Sequence, residues 1–211
     1  MHQLKSRQQI LEQMEKEFEG FSKSVKSILR LKQEHPESWK GICGVVAELV
    51  KVPEGYETAI EVALGSSMQN IVTTTEEVSK KAIEYLRKNQ LGRSTFLPLS
   101  AIKEKELGKE KNQLMQEEGV LGIASSIISY EPIYHNVISY LLGRVSIVKD
   151  WDCGIAIAKK YDHKYKLVTL DGDVLNAGGS MTGGSIYQKT SSIFSRSREL
   201  RELTSELNTV V

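Results

Sequence analysis

The chain has only two cysteines, Cys43 and Cys153, and they lie far apart. That excludes a disulfide framework and a four-ligand zinc set, and the four histidines (His2, His35, His135 and His163) are too scattered to complete one. Neither sign of charge dominates: 28 Lys and Arg against 27 Asp and Glu leave a net charge of +1, so any surface for a polyanion must be local. No apolar run approaches the roughly twenty residues of a membrane span, and the polar start "MHQLKSRQQ" lacks the apolar core of a signal peptide. Also missing is any Ser/His/Asp or paired-carboxylate constellation that would point to an enzyme. These absences leave an intracellular chain expected to need no metal, cofactor or membrane. Its 211 residues, 40% of them hydrophobic, are enough for one large domain or two small ones.

What the chain does have is glycine, concentrated in "GGSMTGGS" from Gly178 to Ser185. A phosphate cradle is one reading, because Gly178 and Gly183 hold the outer glycine positions of the P-loop pattern and Ser185 its hydroxyl position. The lysine position, however, holds Gly184, and no strong amphipathic helix starts at Ser185. A flexible loop is a second reading. Close approach of another backbone, with no Cβ in the way, is a third.

The two ends carry matching patterns. Leu4, Leu11, Phe18 and Val25 recur at one heptad position and Met14, Phe21 and Ile28 at another, interrupted by Arg7. Near the C-terminus Leu200, Leu203, Leu207 and Val210 alternate steps of three and four. So narrow a seam favours a partner helix over ordinary packing on a globular core, and the two ends, paired with each other, must run antiparallel. Gly20 and the polar "SKS" loosen the incoming helix, and "HPES" at 35–38 ends it.

Between the ends the sequence repeats in order. "GICGVV" from Gly41 answers "GVLGIA" from Gly119, and the same spacing of 78 relates Tyr56 to Tyr134, Ile60 to Ile138, Leu64 to Leu142 and Gly65 to Gly143. Ile71, Val72, Ala82 and Tyr85 then meet Ile147, Val148, Ala158 and Tyr161. Each copy reads strand, helix, short strand, helix, strand. The expected fold is α+β (α/β-like): two pseudo-twofold-related subdomains with mixed sheets and helices, flanked by an antiparallel coiled-coil hairpin. The expected units are an incoming helix and junction (1–34), subdomain I (35–110), subdomain II (111–190) and a returning helix (191–211). The charged stretch from Lys103 to Glu118 reads as a linker or solvated helix. Only the second copy continues past its last strand, into Asp171-Gly172, which signals a two-residue hairpin turn and accounts for the acids Asp171 and Asp173 by turn chemistry rather than as a metal or base site.

Together these features resemble a known family. "EGFSKSVKSIL", "GICGVVAELVKVPEGYETAIEVALGSSMQNIV", "GRSTFLPL", "LDGDVLNAGGSMTGGS" and a returning helix beginning "SRSREL" are similar to the hinge region of SMC (structural maintenance of chromosomes) proteins of the bacterial type, over essentially the whole chain. The resemblance implies a non-enzymatic piece of a chromosome condensation and segregation ATPase whose heads lie elsewhere, located in the cytoplasm at the nucleoid. It implies a ring-like homodimer with Gly178, Gly179, Ser180, Met181, Thr182, Gly183 and Gly184 at the interface, and accessory subunits bound elsewhere on the parent protein. It also implies non-specific DNA contact near the coiled-coil junction. Here the sequence departs from the bacterial pattern, for Lys189 stands alone where many members carry a lysine cluster. The expected patch is Lys23, Lys26, Arg30 and Lys32 facing Lys189, Arg196 and Arg198, with Arg201 further along the returning helix, and with Tyr187 or Phe194 available to stack on single strands. A merely solvated surface competes with that reading. A glycine-loop nucleotide-binding enzyme and a free-standing DNA-binding module remain the alternatives.

Overall fold

A computed structural model of the chain describes residues 2–108, 110–185 and 192–209. No described helix is long and apolar enough to cross a membrane. The incoming arm, α1 (His2–Lys16), stops well short of the predicted end of the heptad seam. The chain turns between Glu17 and Ser22 before α2 (Lys23–Glu34) begins, and Val25 and Ile28, placed in the seam by their spacing, join Phe18, Ile42, Ile71 and Leu86 in a globular core. Heptad spacing fits both fates because one face of an ordinary amphipathic helix contains the same positions.

The first lobe follows as β1 (Ile42–Val45), α3 (Val46–Leu49), β2 (Val50–Lys51), α4 (Glu57–Leu64), β3 (Ile71–Thr73), α5 (Glu76–Lys88) and β4 (Phe96–Pro98). After the short α6 (Lys111–Leu114), the second lobe runs β5 (Val120–Ile123), α7 (Ala124–Ile127), β6 (Ser129–Tyr130), α8 (His135–Leu142), β7 (Val145–Val148), α9 (Trp151–Lys160) and β8 (Lys166–Thr169). It then adds β9 (Val174–Leu175) and β10 (Met181–Thr182), and α10 (Ile193–Thr209) forms the returning arm.

The element order repeats, and so does the geometry. In one sheet β1 pairs antiparallel with β3, with an irregularity between Ile42 and Gly44; in the other β5 pairs antiparallel with β7, with an irregularity between Val120 and Gly122, the same positions one repeat later. Both copies close on a parallel pair, β3 with β4 and β7 with β8. The lobes join through β2 and β6, where Lys51 lies opposite Ser129. Those residues are equivalents in the repeat, so an antiparallel pair between them marks a local twofold axis. A shared core, including Val46, Ile60, Ala124, Ile138 and Val168, crosses this join and takes in Phe194 of the returning arm.

The helices on the outer faces are started by their caps. Thr75 accepts from the Val78 amide at the head of α5, and Asp150 accepts from the Cys153 amide at 3.0 Å at the head of α9. Acidic residues in each first turn and basic ones in each last turn complement the helix dipoles. The charged stretch between the lobes is not a solvated helix. Leu107 and the fully buried Leu114 plug into the second lobe's own core with Ile123, Val148, Leu167 and Leu175, which pins the linker despite its charge.

Candidate protein interface and arm junction

The second sheet has the order β10-β9-β8-β7-β5, so β10 is an outer strand. Two tight hairpins build that edge. Between β8 and β9 the Gly172 amide donates to Thr169 O at 3.0 Å and the Thr169 amide to Asp173 O at 2.9 Å, enclosing a three-residue loop with Gly172 at φ +91°. Asp171-Gly172 thus forms the expected hairpin, but by a turn one residue longer, with glycine in the left-handed position that such loops require. Between β9 and β10 the pattern recurs: the Gly179 amide donates to Asn176 O at 3.0 Å and the Asn176 amide to Ser180 O at 2.8 Å.

Each glycine of "GGSMTGGS" therefore has a reason within one chain. Gly178 and Gly179 turn the second hairpin at φ +88° and +95°. A Cβ on Gly183 would strike Asp173 Oδ1 and come within 2.9 Å of the Trp151 ring. Gly184 sits at φ +127°, which side-chain-bearing residues rarely adopt, and its amide donates to Asp173 Oδ1 at 3.3 Å. Gly184 holds the position where a phosphate cradle needs its lysine, and no convergent set of amides is found in this loop among the described residues. What it creates is an exposed edge: Ser180, Met181, Thr182, Gly183 and Gly184 all face solvent, and Met181 is 53% exposed.

The first sheet has the order β1-β3-β4 and ends on an equally bare strand. In the repeat β4 corresponds to β8, but β8 is covered by the β9–β10 hairpin whereas β4 has nothing beyond it among the described residues. Beside β4 the half-buried Phe96 and Pro98, with Ile83 at 41% exposure, line a shallow groove. Proline belongs at such an edge because it cannot donate to an inner ladder.

The fold and both edges are now in place, and the match to known proteins decides what carries them: residues 39–158 match the SMC proteins Flexible Hinge Domain. The chain belongs to the SMC hinge family. The chromosome partition protein Smc of Bacillus subtilis (strain 168) is 43% identical over 208 residues, which cover 98% of this hinge and 17% of that protein. The hinge thus spans about 17% of the length of that relative. An SMC hinge domain of Geobacillus stearothermophilus, solved as an asymmetric dimer, superposes with a TM-score of 0.88 at 42% identity, covering 99% of this chain and 82% of that one. The Pyrococcus furiosus SMC hinge domain follows with a TM-score of 0.64 at 32% identity, covering 88% and 92%. The glycine-loop enzyme reading gives way: this is a hinge.

At the junction with the arms, the terminal helices pair antiparallel as expected. Arg7 Nε lies 2.7 Å from Glu199 Oε1, Gln8 Nε2 donates to Thr204 Oγ1 at 3.2 Å, and Ser197 Oγ donates to Glu15 Oε1 at 2.9 Å. Leu11 and Leu203 are buried in the seam, while Leu4, Met14, Leu200 and Leu207 are half-buried. Val210 lies outside the described residues.

The junction's cations divide sharply. Arg196 is buried, with Nη2 donating to Glu19 O at 2.9 Å. Arg198 Nε lies 2.8 Å from Glu57 Oε1 and its Nη1 3.1 Å from Glu54 Oε1. Lys32 Nζ donates to Cys43 O at 2.8 Å. Arg196 is spent on a carbonyl inside the fold and Arg198 on carboxylates, while Lys32 gives one donor to a carbonyl, none of which spacing in the sequence could reveal. Lys23, Lys26 and Arg30 occupy one face of α2 at helical spacing, Lys23 and Arg30 are exposed, and none of the three has a carboxylate partner among the described residues. Phe194 is buried in the shared core, so it has no face to offer a base. Tyr187 and Lys189 lie outside the described residues.

Proposed function

We propose that the chain, read as two lobes over 35–110 and 111–190, forms a ring-closing homodimer in which β10 of one protomer adds to β4 of its partner, and the reverse. The observation that carries this is the mismatch between the lobes. The second has an extra hairpin with a bare outer strand, and the first lacks the hairpin at the equivalent edge. Across a twofold axis each protomer supplies what the other is missing, giving two equivalent contacts and no open end. Main-chain hydrogen bonds between edge strands supply affinity, and Met181 fits the groove beside Ile83 and Phe96 for register. The residues from Gly178 to Gly184 frame this contact, and the low profile of the glycines lets the partner strand approach. Sedimentation or light scattering should give twice the mass of the 23.6 kDa chain at micromolar concentration. A monomer would overturn the reading.

A second role rests on the free face of α2. Lys23, Lys26 and Arg30 contact nucleic-acid phosphates without base specificity, and with three cations in the cluster the binding is weak and falls with salt. Replacing the three by glutamate should abolish the anisotropy change of a labelled oligonucleotide at low salt, whereas replacing Arg198 should act through folding rather than contact. In the parent protein, this hinge would join the arms of a chromosome-partition ATPase at the nucleoid, with accessory subunits bound elsewhere.

A further inference from the structure

An open cavity of about 510 Å³ lies between the inter-lobe linker and the second sheet, lined by Glu106, Leu107, Gly108, Glu110, Arg144, Lys164, Tyr165, Lys166 and Ala177. Its charges do not cancel locally. The Glu110 carboxylate is already engaged by Lys164 Nζ at 3.0 Å and by the Tyr165 hydroxyl, and Glu106 sits 3.6 Å from Lys111. Two cations are left without a carboxylate partner among the described residues. Arg144 donates from Nε to the Glu106 carbonyl at 3.2 Å, and Lys166 donates from Nζ to the Ala63 carbonyl at 3.1 Å. Each therefore spends one donor on a neutral oxygen and keeps its charge and remaining donors uncommitted. The stem of Lys166 is half-buried, and that desolvation pulls its ammonium below the usual lysine range, as expected of a cation with no anion beside it. The rest of the lining is apolar. Leu107, Ala177 and Tyr165 share the lining, and Tyr165 is held in place through its hydroxyl.

We propose that this cavity binds a phosphoryl group carried on a flat apolar body, the chemistry of a mononucleotide. The phosphoryl oxygens would take the free donors of Arg144 and Lys166, and the base would lie against the half-buried Tyr165 ring. Arg144 suits this because its planar guanidinium still has donors beyond the Nε used on the linker. The volume is in the range of small-ligand sites. The same phosphoryl chemistry is found on a free nucleotide and at the 5′ end of a nucleic acid. The site is independent of the stripe on α2 and of the dimer contact.

Isothermal titration of the whole chain with AMP, adenosine and inorganic phosphate tests it. AMP should bind saturably, and adenosine, lacking the anion, should bind at least about tenfold more weakly, the loss expected when a charge-assisted hydrogen bond is missing. Lys166→Met keeps the stem and removes the charge; Arg144→Gln removes the guanidinium charge at an exposed position. Each should weaken AMP about tenfold. A 5′-phosphorylated oligonucleotide that displaces AMP, when its 5′-hydroxyl counterpart does not, would assign the site to strand ends; failure of both to displace it would assign the site to free nucleotide. Equal binding of AMP and adenosine, no saturable heat from AMP, or parent-like affinity in folded Arg144→Gln would each overturn the proposal.

Discussion

The two lobes are built on one plan and differ in how they finish it. Each has a bulged antiparallel pair, a parallel pair and a capped helix on its outer face. The first stops at β4 with its edge uncovered, while the second continues through two glycine turns to β10 and carries the linker in its own core. Edges of unlike kind pair head to tail, which closes into a ring only where the rotation between protomers closes and otherwise runs on as a filament.

The comparison can be broken most severely at the linker. Leu114 is fully buried in the second lobe's own core, so Leu114→Ala should cost about 2–5 kcal/mol. Hydrogen exchange should show the lost protection concentrated in β5, β7 and β8. Equal loss in β1 and β3 would mean that the lobes unfold as one unit rather than as two.

The unlike edges come next. Met181→Lys and Ile83→Glu alter exposed side chains on opposite lobes, so each should leave the fold intact and weaken the dimer by about 30- to 100-fold, the size of an interface hot spot. Ile133→Glu, at 63% exposure and away from both edges, should leave association unchanged. Analytical ultracentrifugation over a concentration series separates these outcomes, and a dimer sensitive to only one of the two edge variants would rule out reciprocal pairing.

A smaller effect compares the helix caps. Asp150→Ala and Thr75→Ala each remove the side-chain acceptor at the head of an equivalent helix, at a cost of about 1 kcal/mol. Asp150 should matter more, since it is charged and its contact is 3.0 Å against 3.5 Å for Thr75. Chemical denaturation of the two variants reads the order directly.

Acid should produce the mildest asymmetry. Against the second lobe the linker's Glu110 carboxyl is held below the ordinary range by Tyr165 and Lys164, and that of Glu117 by Lys160 and Tyr161. In the first lobe Glu77 is held down by Thr75. A carboxyl whose folded pKa is depressed adds stability that is complete above its unfolded value, about 4.3 for glutamate, and is lost as pH falls through the folded one. Acidification below that value should thus weaken the second lobe slightly before the first. Lobe-resolved hydrogen exchange across that range checks the order, and both exposed clusters should contribute less in high salt.

Much of this was legible in the chain itself. Apolar alternation and glycine spacing repeat every 78 residues or so because the same bulged strand and helix must be built twice, and Asp-Gly between two apolar runs can do little but turn. The apolar spacing at both termini likewise requires helices that pair, and the chain's connectivity requires them to be antiparallel. Three things depended on the folded chain. Heptad spacing could not say where the arm ends, because Val25 and Ile28 satisfy the seam and the lobe core equally well, and only the turn at 17–22 separates them. A run of charge could not show that Leu107 and Leu114 were anchors, since burial depends on the surface that meets a residue rather than on its neighbours in sequence. Nor could the list of arginines and lysines near the junction show that Arg196 and Arg198 are consumed by a carbonyl and carboxylates more than ten residues away, while Lys23, Lys26 and Arg30 have no carboxylate partner among the described residues. Local pattern sets which elements form; which charges remain available is decided only when distant segments meet, because hydrogen-bonded ion pairs form, at the cost of desolvation, only once folding brings their partners together.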